Sequence, residues 1–167
     1  MPFTPLHMGP ALLVKSVAQT GFSLTVFGWS QIVMDIQPLV VLLTQEGDLH
    51  GISHTLLGAL VLGLLAALTG KYLSEWGLIV IKWRRYLPIR WKTAFISAYI
   101  GTFSHVFFDS IMHVDVSPFA PFSAVNPLHG WWSISTLHWV CVITGAVGAV
   151  MCVGREWWAQ RKRTSAS

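Results

Sequence analysis

Charge is scarce in this chain. Asp, Glu, Lys and Arg make up 11% of its 167 residues, against roughly 25% in an average soluble domain. With 53% apolar residues and a mean hydropathy of +0.58, that deficit excludes an ordinary soluble globular protein. Cysteine is nearly absent as well: Cys141 and Cys152 fall in one late apolar segment and lack a C-x-x-C spacing, which excludes a disulfide framework or a thiolate zinc site and leaves helix packing as their expected role. The first residues, M-P-F-T-P-L-H, carry no basic stretch and lead into no small-residue cleavage pattern, so a removed signal peptide is not expected. No internal repeat or low-complexity segment interrupts the chain. Residues 1–167 read as one membrane-embedded domain whose chemistry has to sit on its helices and loops. The formal charge of +4 does not point to nucleic acid, because the basic residues cluster in Lys71 to Lys92 and at the C-terminus, where orientation signals of membrane proteins belong.

What is present is a set of apolar segments that predict an all-α integral membrane bundle. Met8 to Thr20 and Phe22 to Asp35 flank Gly21. At about 1.5 Å per residue each is shorter than the roughly 30 Å hydrocarbon core, which predicts a short, partly inserted N-terminal helical hairpin with its tip near Gly21 and an interruption or kink at Pro38. Ile52 to Thr69 is the clearest first span, and Lys71 to Lys92, with Trp83 and Trp91 among its basic residues, reads as interfacial, with Leu78 to Ile81 dipping into lipid. Thr93 to Met112 and Ser133 to Gly154 complete the expected spans, with Arg155, Arg161, Lys162 and Arg163 after the last. If both basic regions stay in the cytoplasm, the loop from His113 to Trp132 and the start of the Ile52 span share the outer face of the membrane.

Ionisable residues in such segments are costly and rare unless paired, ion-bound or facing a polar cavity. Here they recur at ligand spacing: His7, Asp35, His50 and His54 in H-G-I-S-H, and His105 and Asp109 in H-V-F-F-D. On a helix, side chains four apart share one face, so each i, i+4 pair can converge on one ion. The bland readings are two interfacial histidines at a helix start and a His-Asp hydrogen bond between helices. Imidazole and carboxylate donors favour zinc, with manganese, iron or nickel compatible. Six candidate ligands, His7, Asp35, His50, His54, His105 and Asp109, suffice for one or two divalent ions with an open position. Beside them, His113 is a candidate general acid or added ligand, with Asp115 to orient it. Asp35 and Asp109 are the candidate proton acceptors. Ser123 and Asn126 are candidate headgroup contacts, Lys15 either snorkels or meets an anionic substrate, and His129 and His138 read as interfacial or packing residues.

The order His, Asp, H-G-I-S-H-T-L, H-V-F-F-D-S-I-M-H and P-F-A-P-F-S, spanning His7 to about Leu128, resembles the YdjM-like family of bacterial inner-membrane metal-dependent hydrolases. The family's P-D-x-D-H motif is reduced here to M-D-I-Q-P, so Asp35 aligns while a second carboxylate and a histidine are missing. Through a distant similarity of that family to zinc-dependent phospholipase C, the resemblance implies phosphoester hydrolysis. The expected function is metal-dependent hydrolysis of a lipidic or lipid-linked phosphoester at the outer interface, with membrane lipid as the partner. A metal-ion transporter and a structural metal-binding protein are the competing readings.

Overall fold

A computed structural model describes residues 5–165, and among them every regular element is helical. Five α-helices follow in order: α1 Met8–Ala18, α2 Leu24–Thr44, α3 Leu56–Val80, α4 Trp91–Met112 and α5 Ile134–Thr164. Two of the starts are capped locally by hydroxyl side chains. Ser23 accepts a hydrogen bond from the Val26 amide to open α2, and Thr55 accepts one from the Gly58 amide to open α3, satisfying N–H groups that the first turn leaves without a helical partner.

Among the described residues three helices are long and apolar enough to cross a membrane, α2, α3 and the Ile134–Lys162 part of α5, and α4, expected as a span, is not one of them. The hairpin tip does fall at Gln19–Gly21, and the first arm is short, but the second is not. α2 runs 21 residues straight through Pro38, about 31 Å at helical rise. Proline removes one backbone donor but does not end a helix whose other turns are held by packing, and Pro38 is itself buried. α3 likewise continues past Thr69 to Val80, because Lys71 pairs with Glu75 one turn on at 2.8 Å and the charges need no loop. The stretch from 71 to 80 is therefore helical and continuous with the preceding span.

Small residues let the helices meet closely. α3 turns Ala59, Gly63, Ala66, Ala67 and Gly70 inward, all buried, while Leu60, Leu64, Leu68 and Trp76 remain exposed, the inverse of a soluble helix and the pattern expected against lipid. α4 packs Ala94, Ala98 and Gly101 against α3 and α2 and exposes the apolar stripe Ile96, Ile100, Phe103 and Phe107. The short α1 packs chiefly on α5. Gly9 lies against the Cys141 carbonyl and Gly145, Leu12 and Leu13 against Gly148, and Ser16 against Met151, so the two helices run parallel.

The connections sort by charge. At one end lie the Gly21 turn, the α3–α4 connection and the end of α5, tied by Thr93 to the Thr20 carbonyl (3.1 Å) and Arg85 to Glu156 (2.9 Å). Among the described residues the opposite end carries Asp35, Glu46, Asp48, Asp109 and Asp115, all seven histidines, and no lysine or arginine.

Candidate metal centre

Within the acidic end, five side chains from four elements turn toward one buried space. His7 precedes α1, Asp35 lies on α2, His54 ends the short turn before α3, and His105 and Asp109 sit one turn apart on α4. All five are buried. Asp109 Oδ2 lies 3.1 Å from His105 Nε2 and 3.2 Å from His54 Nε2, and Asp109 Oδ1 lies 4.0 Å from His7 Nε2. Asp35 Oδ1 is 3.4 Å from His105 Nε2.

These close approaches do not make hydrogen bonds. The Nε2 atoms of His7, His54 and His105 are all buried without a hydrogen-bond partner, a deficit that usually costs about 1–3 kcal/mol per group. Two buried carboxylates at an end without lysine or arginine also call for a compensating cation. A divalent ion answers both demands, and imidazole nitrogen with carboxylate oxygen is the donor set that zinc and its neighbours take. The residues present therefore fit a metal.

The outer faces of the rings are fixed by other side chains. His105 Nδ1 meets Gln31 Oε1 at 2.8 Å, while Gln31 Nε2 donates to the Gly101 carbonyl at 2.9 Å. A carbonyl only accepts, so His105 donates from Nδ1, and in the neutral ring this leaves on Nε2 the lone pair that a metal requires. His54 Nδ1 pairs with Ser53 Oγ at 2.8 Å, and His50 Nδ1 with Asp115 Oδ2 at 2.8 Å.

Among the described residues three groups have ligand atoms close enough to share an ion: Asp35, His54 and His105; His50, His54 and Asp109; and His50, His113 and Asp115. His54 and His50 each belong to two of them, so the donors run from the buried centre to the mouth. His50 and His113 stack there with ring centroids 4.4 Å apart. Burial lowers the His113 pKa from its ordinary value, favouring the neutral ring. Burial alone raises that of Asp115, but its hydrogen bond with His50 brings the net shift below the usual carboxylate value.

All six residues singled out as ligands converge at this end, with His113 beside them. The route differs for one pair. His50 and His54 do not share a helical face, since α3 begins only after Thr55, and it is the turn through Gly51 that brings their rings within 4.9 Å. Asp115 orients His50 rather than His113. Asn126 donates to the Ser110 and His113 carbonyls and Ser123 accepts from the Val125 amide, so both brace the loop internally. Lys15 lies at the opposite end, donating to the Gln19 and Phe22 carbonyls, and cannot meet a substrate here. His129 and His138 belong to none of the three groups. Sequence reasoning missed Gln31 and Ser53. Gln31 had a readable signal, standing one helical turn before Asp35.

Fold and site define an all-helical membrane protein with a buried His/Asp cluster able to hold a metal ion. Residues 14–166 match the family model of the YdjM inner membrane protein, and the chain belongs to that family. His7 lies ahead of the matched range. No curated protein and no solved structure matches the chain.

Proposed function

We propose that the protein is a membrane-bound, metal-dependent hydrolase that cleaves a phosphoester of a lipid or lipid-linked substrate at the outer interface of the bacterial inner membrane. The observation that carries this reading is the convergence of three partnerless Nε2 atoms with two carboxylates in one buried space. His54, His105 and Asp109 would hold the ion, with His7 and Asp35 beside them and His50 bridging to a second position. A bound divalent ion supplies Lewis acidity toward a phosphoryl oxygen and makes water more acidic.

The chain's own groups would do the rest. Asp109 lies within 4.0 Å of three imidazoles and Asp35 of one, so Asp35, the less closely held of the two, is the carboxylate we assign to accept the proton of the attacking water. His113, half-buried at the mouth with its ring held neutral, would serve as an added ligand beside His50 and Asp115, and the proton taken up by Asp35 would return to the leaving alcohol oxygen. The exposed apolar side chains of the adjoining loop, Val114, Phe122 and Trp131, suit the membrane interface, where a headgroup reaches the cluster while its chains stay in lipid. The proposed similarity to zinc-dependent phospholipase C adds only chemical analogy. Deep burial of His54 and His105 also suits a closed structural ion, whereas the gathering of ligands at one end disfavours a transport path.

Turnover separates these readings. Purified protein loaded with zinc or manganese should release phosphate or a phosphorylated headgroup from a panel of phospholipids and polyprenyl phosphate esters, and chelation should stop it. No metal-dependent turnover across the panel would leave the structural ion as the better account.

Metal affinity should grade with burial. His54→Ala is expected to lower zinc affinity by at least about a hundredfold, and His50→Ala by roughly tenfold, since His54 sits inside both inner groups and His50 lies nearer solvent. Equilibrium titration of the detergent-solubilised variants measures this, and equal losses would refute the inner-to-outer order.

Orientation is testable separately. Among the described side chains the lysines and arginines lie toward the end opposite the cluster, which the positive-inside rule places in the cytoplasm. In a background lacking Cys141 and Cys152, a cysteine at Ser117 should react with an impermeant thiol reagent in intact cells and one at Ser165 should not. The reverse labelling would put the cluster on the cytoplasmic side.

A further inference from the structure

At the basic end, opposite the metal centre, a cavity of about 630 Å³ opens between the Gly21 turn, the end of α3, the α3–α4 connection and the first turns of α4. Four cationic side chains line it, Lys15, Arg85, Arg90 and Lys92, and no carboxylate does. Arg85, Arg90 and Lys92 come from the basic stretch before and into α4, and the fold adds Lys15 to them from α1, about seventy residues earlier. Such a cavity selects an anion.

The cations keep unused capacity. An ammonium has three N–H donors, and Lys15 Nζ uses two on the Gln19 and Phe22 carbonyls, both at 2.7 Å. Those bonds hold the half-buried ammonium at the cavity wall. Arg85 leans on Tyr86 and pairs with Glu156, while Arg90 and Lys92 form no ion pair among the described residues. The remaining wall mixes the hydroxyls of Thr20, Ser23, Thr25 and Thr93 with apolar side chains. Leu78 and Ile89 are buried, and Ile96, 39% exposed, belongs to the outward stripe of α4. The cavity thus joins a cationic floor to a surface that faces hydrocarbon, and a water-soluble anion would have no use for the second feature.

We propose that this cavity binds the phosphate-bearing headgroup of an anionic lipid from the leaflet opposite the metal centre, with the acyl chains running along the α4 stripe. The site lies at the other end of the bundle from the His/Asp cluster, so the lipid it holds is not the one proposed for hydrolysis. Bound there, it ties the Gly21 turn to the start of α4.

The test uses full-length protein in neutral detergent, titrated with phosphatidylglycerol, with phosphatidylcholine of the same chains, and with inorganic phosphate, and read by native mass spectrometry for retained ligand. Phosphatidylglycerol should bind at least about tenfold more tightly than phosphatidylcholine. Arg90→Gln with Lys92→Gln should remove most of that preference, whereas Arg155→Gln with Lys162→Gln, at the same end but outside the cavity, should change it less than about twofold. Lys15→Gln serves as a third variant, with circular dichroism to confirm the helical fold. Equal losses from the two double variants would reduce the effect to a generally basic surface and overturn the site. Inorganic phosphate binding as tightly as phosphatidylglycerol would overturn the lipid assignment. Lipid retention is read without turnover, so the outcome is independent of whether the metal centre hydrolyses anything.

Discussion

Asp109→Asn is expected to abolish phosphoester hydrolysis and to lower metal affinity by at least about a hundredfold, while the protein still inserts and folds. Asp109 is the one side chain whose carboxylate faces three imidazoles, His7, His54 and His105. Asn keeps its size and one acceptor oxygen but removes the negative charge that a hard divalent ion prefers, and its amide group presents N–H donors to the cation. The buried cluster would then retain only the Asp35 charge. Folding should survive, because the α4 packing face of Ala94, Ala98 and Gly101 is untouched. Metal content by elemental analysis, zinc titration and turnover with lipid phosphoesters check the three parts together. Wild-type metal content with lost turnover would place Asp109 in proton transfer rather than in ligation. Wild-type values for both would remove it from the centre altogether.

The grouping of donors was legible in the sequence because it rests on cost. A histidine or aspartate inside an apolar segment is expensive wherever the segment lies, so His7, Asp35, His54, His105 and Asp109 stood out before any helix was placed. The pair on α4 was legible in geometry as well, since His105 and Asp109 do share a helical face. The pair at His50 and His54 was legible only as residues. Their approach depends on where α3 starts, and that is fixed by Thr55 capping the Gly58 amide, a local competition that a spacing of four cannot resolve. Helix lengths were misjudged for a related reason. Pro38 and Lys71 are breakers or boundaries by propensity, but burial and the Lys71–Glu75 pair override them. The partner of α1 was not legible at all. Its segment is apolar on most sides, and pairing with α5 rather than with its neighbour α2 is decided by the matching of glycines more than 130 positions apart, Gly9 with Gly145 and the Leu12–Leu13 backbone with Gly148.

That pairing sets the second large effect. Gly148→Leu is expected to separate α1 from α5 and, with it, to withdraw His7 from the centre. A Cβ at position 148 would stand 2.8 Å from the Leu12 carbonyl oxygen and closer still to the Leu13 amide nitrogen. Both are backbone atoms, so no side-chain rotation relieves the clash and the helices have to move apart. Overpacking of this kind typically costs about 1–3 kcal/mol. Gly154→Leu provides the contrast, since a Cβ there meets nothing within 4 Å and leucine is the better helix former. Gly154→Leu should match wild type in thermal stability, and Gly148→Leu should be clearly less stable. The functional consequence follows from the lever arm. His7 immediately precedes α1, and its Nε2 is the cluster's most distant imidazole from Asp109, at 4.0 Å, so a shift of α1 removes this donor while leaving those on α3 and α4. Zinc affinity should fall by about tenfold, the same loss expected for His7→Ala, which keeps the α1–α5 seam and wild-type stability. If Gly148→Leu is destabilised yet binds zinc as tightly as wild type, and His7→Ala does too, α1 delivers no ligand and the centre consists of α2, α3 and α4 donors alone.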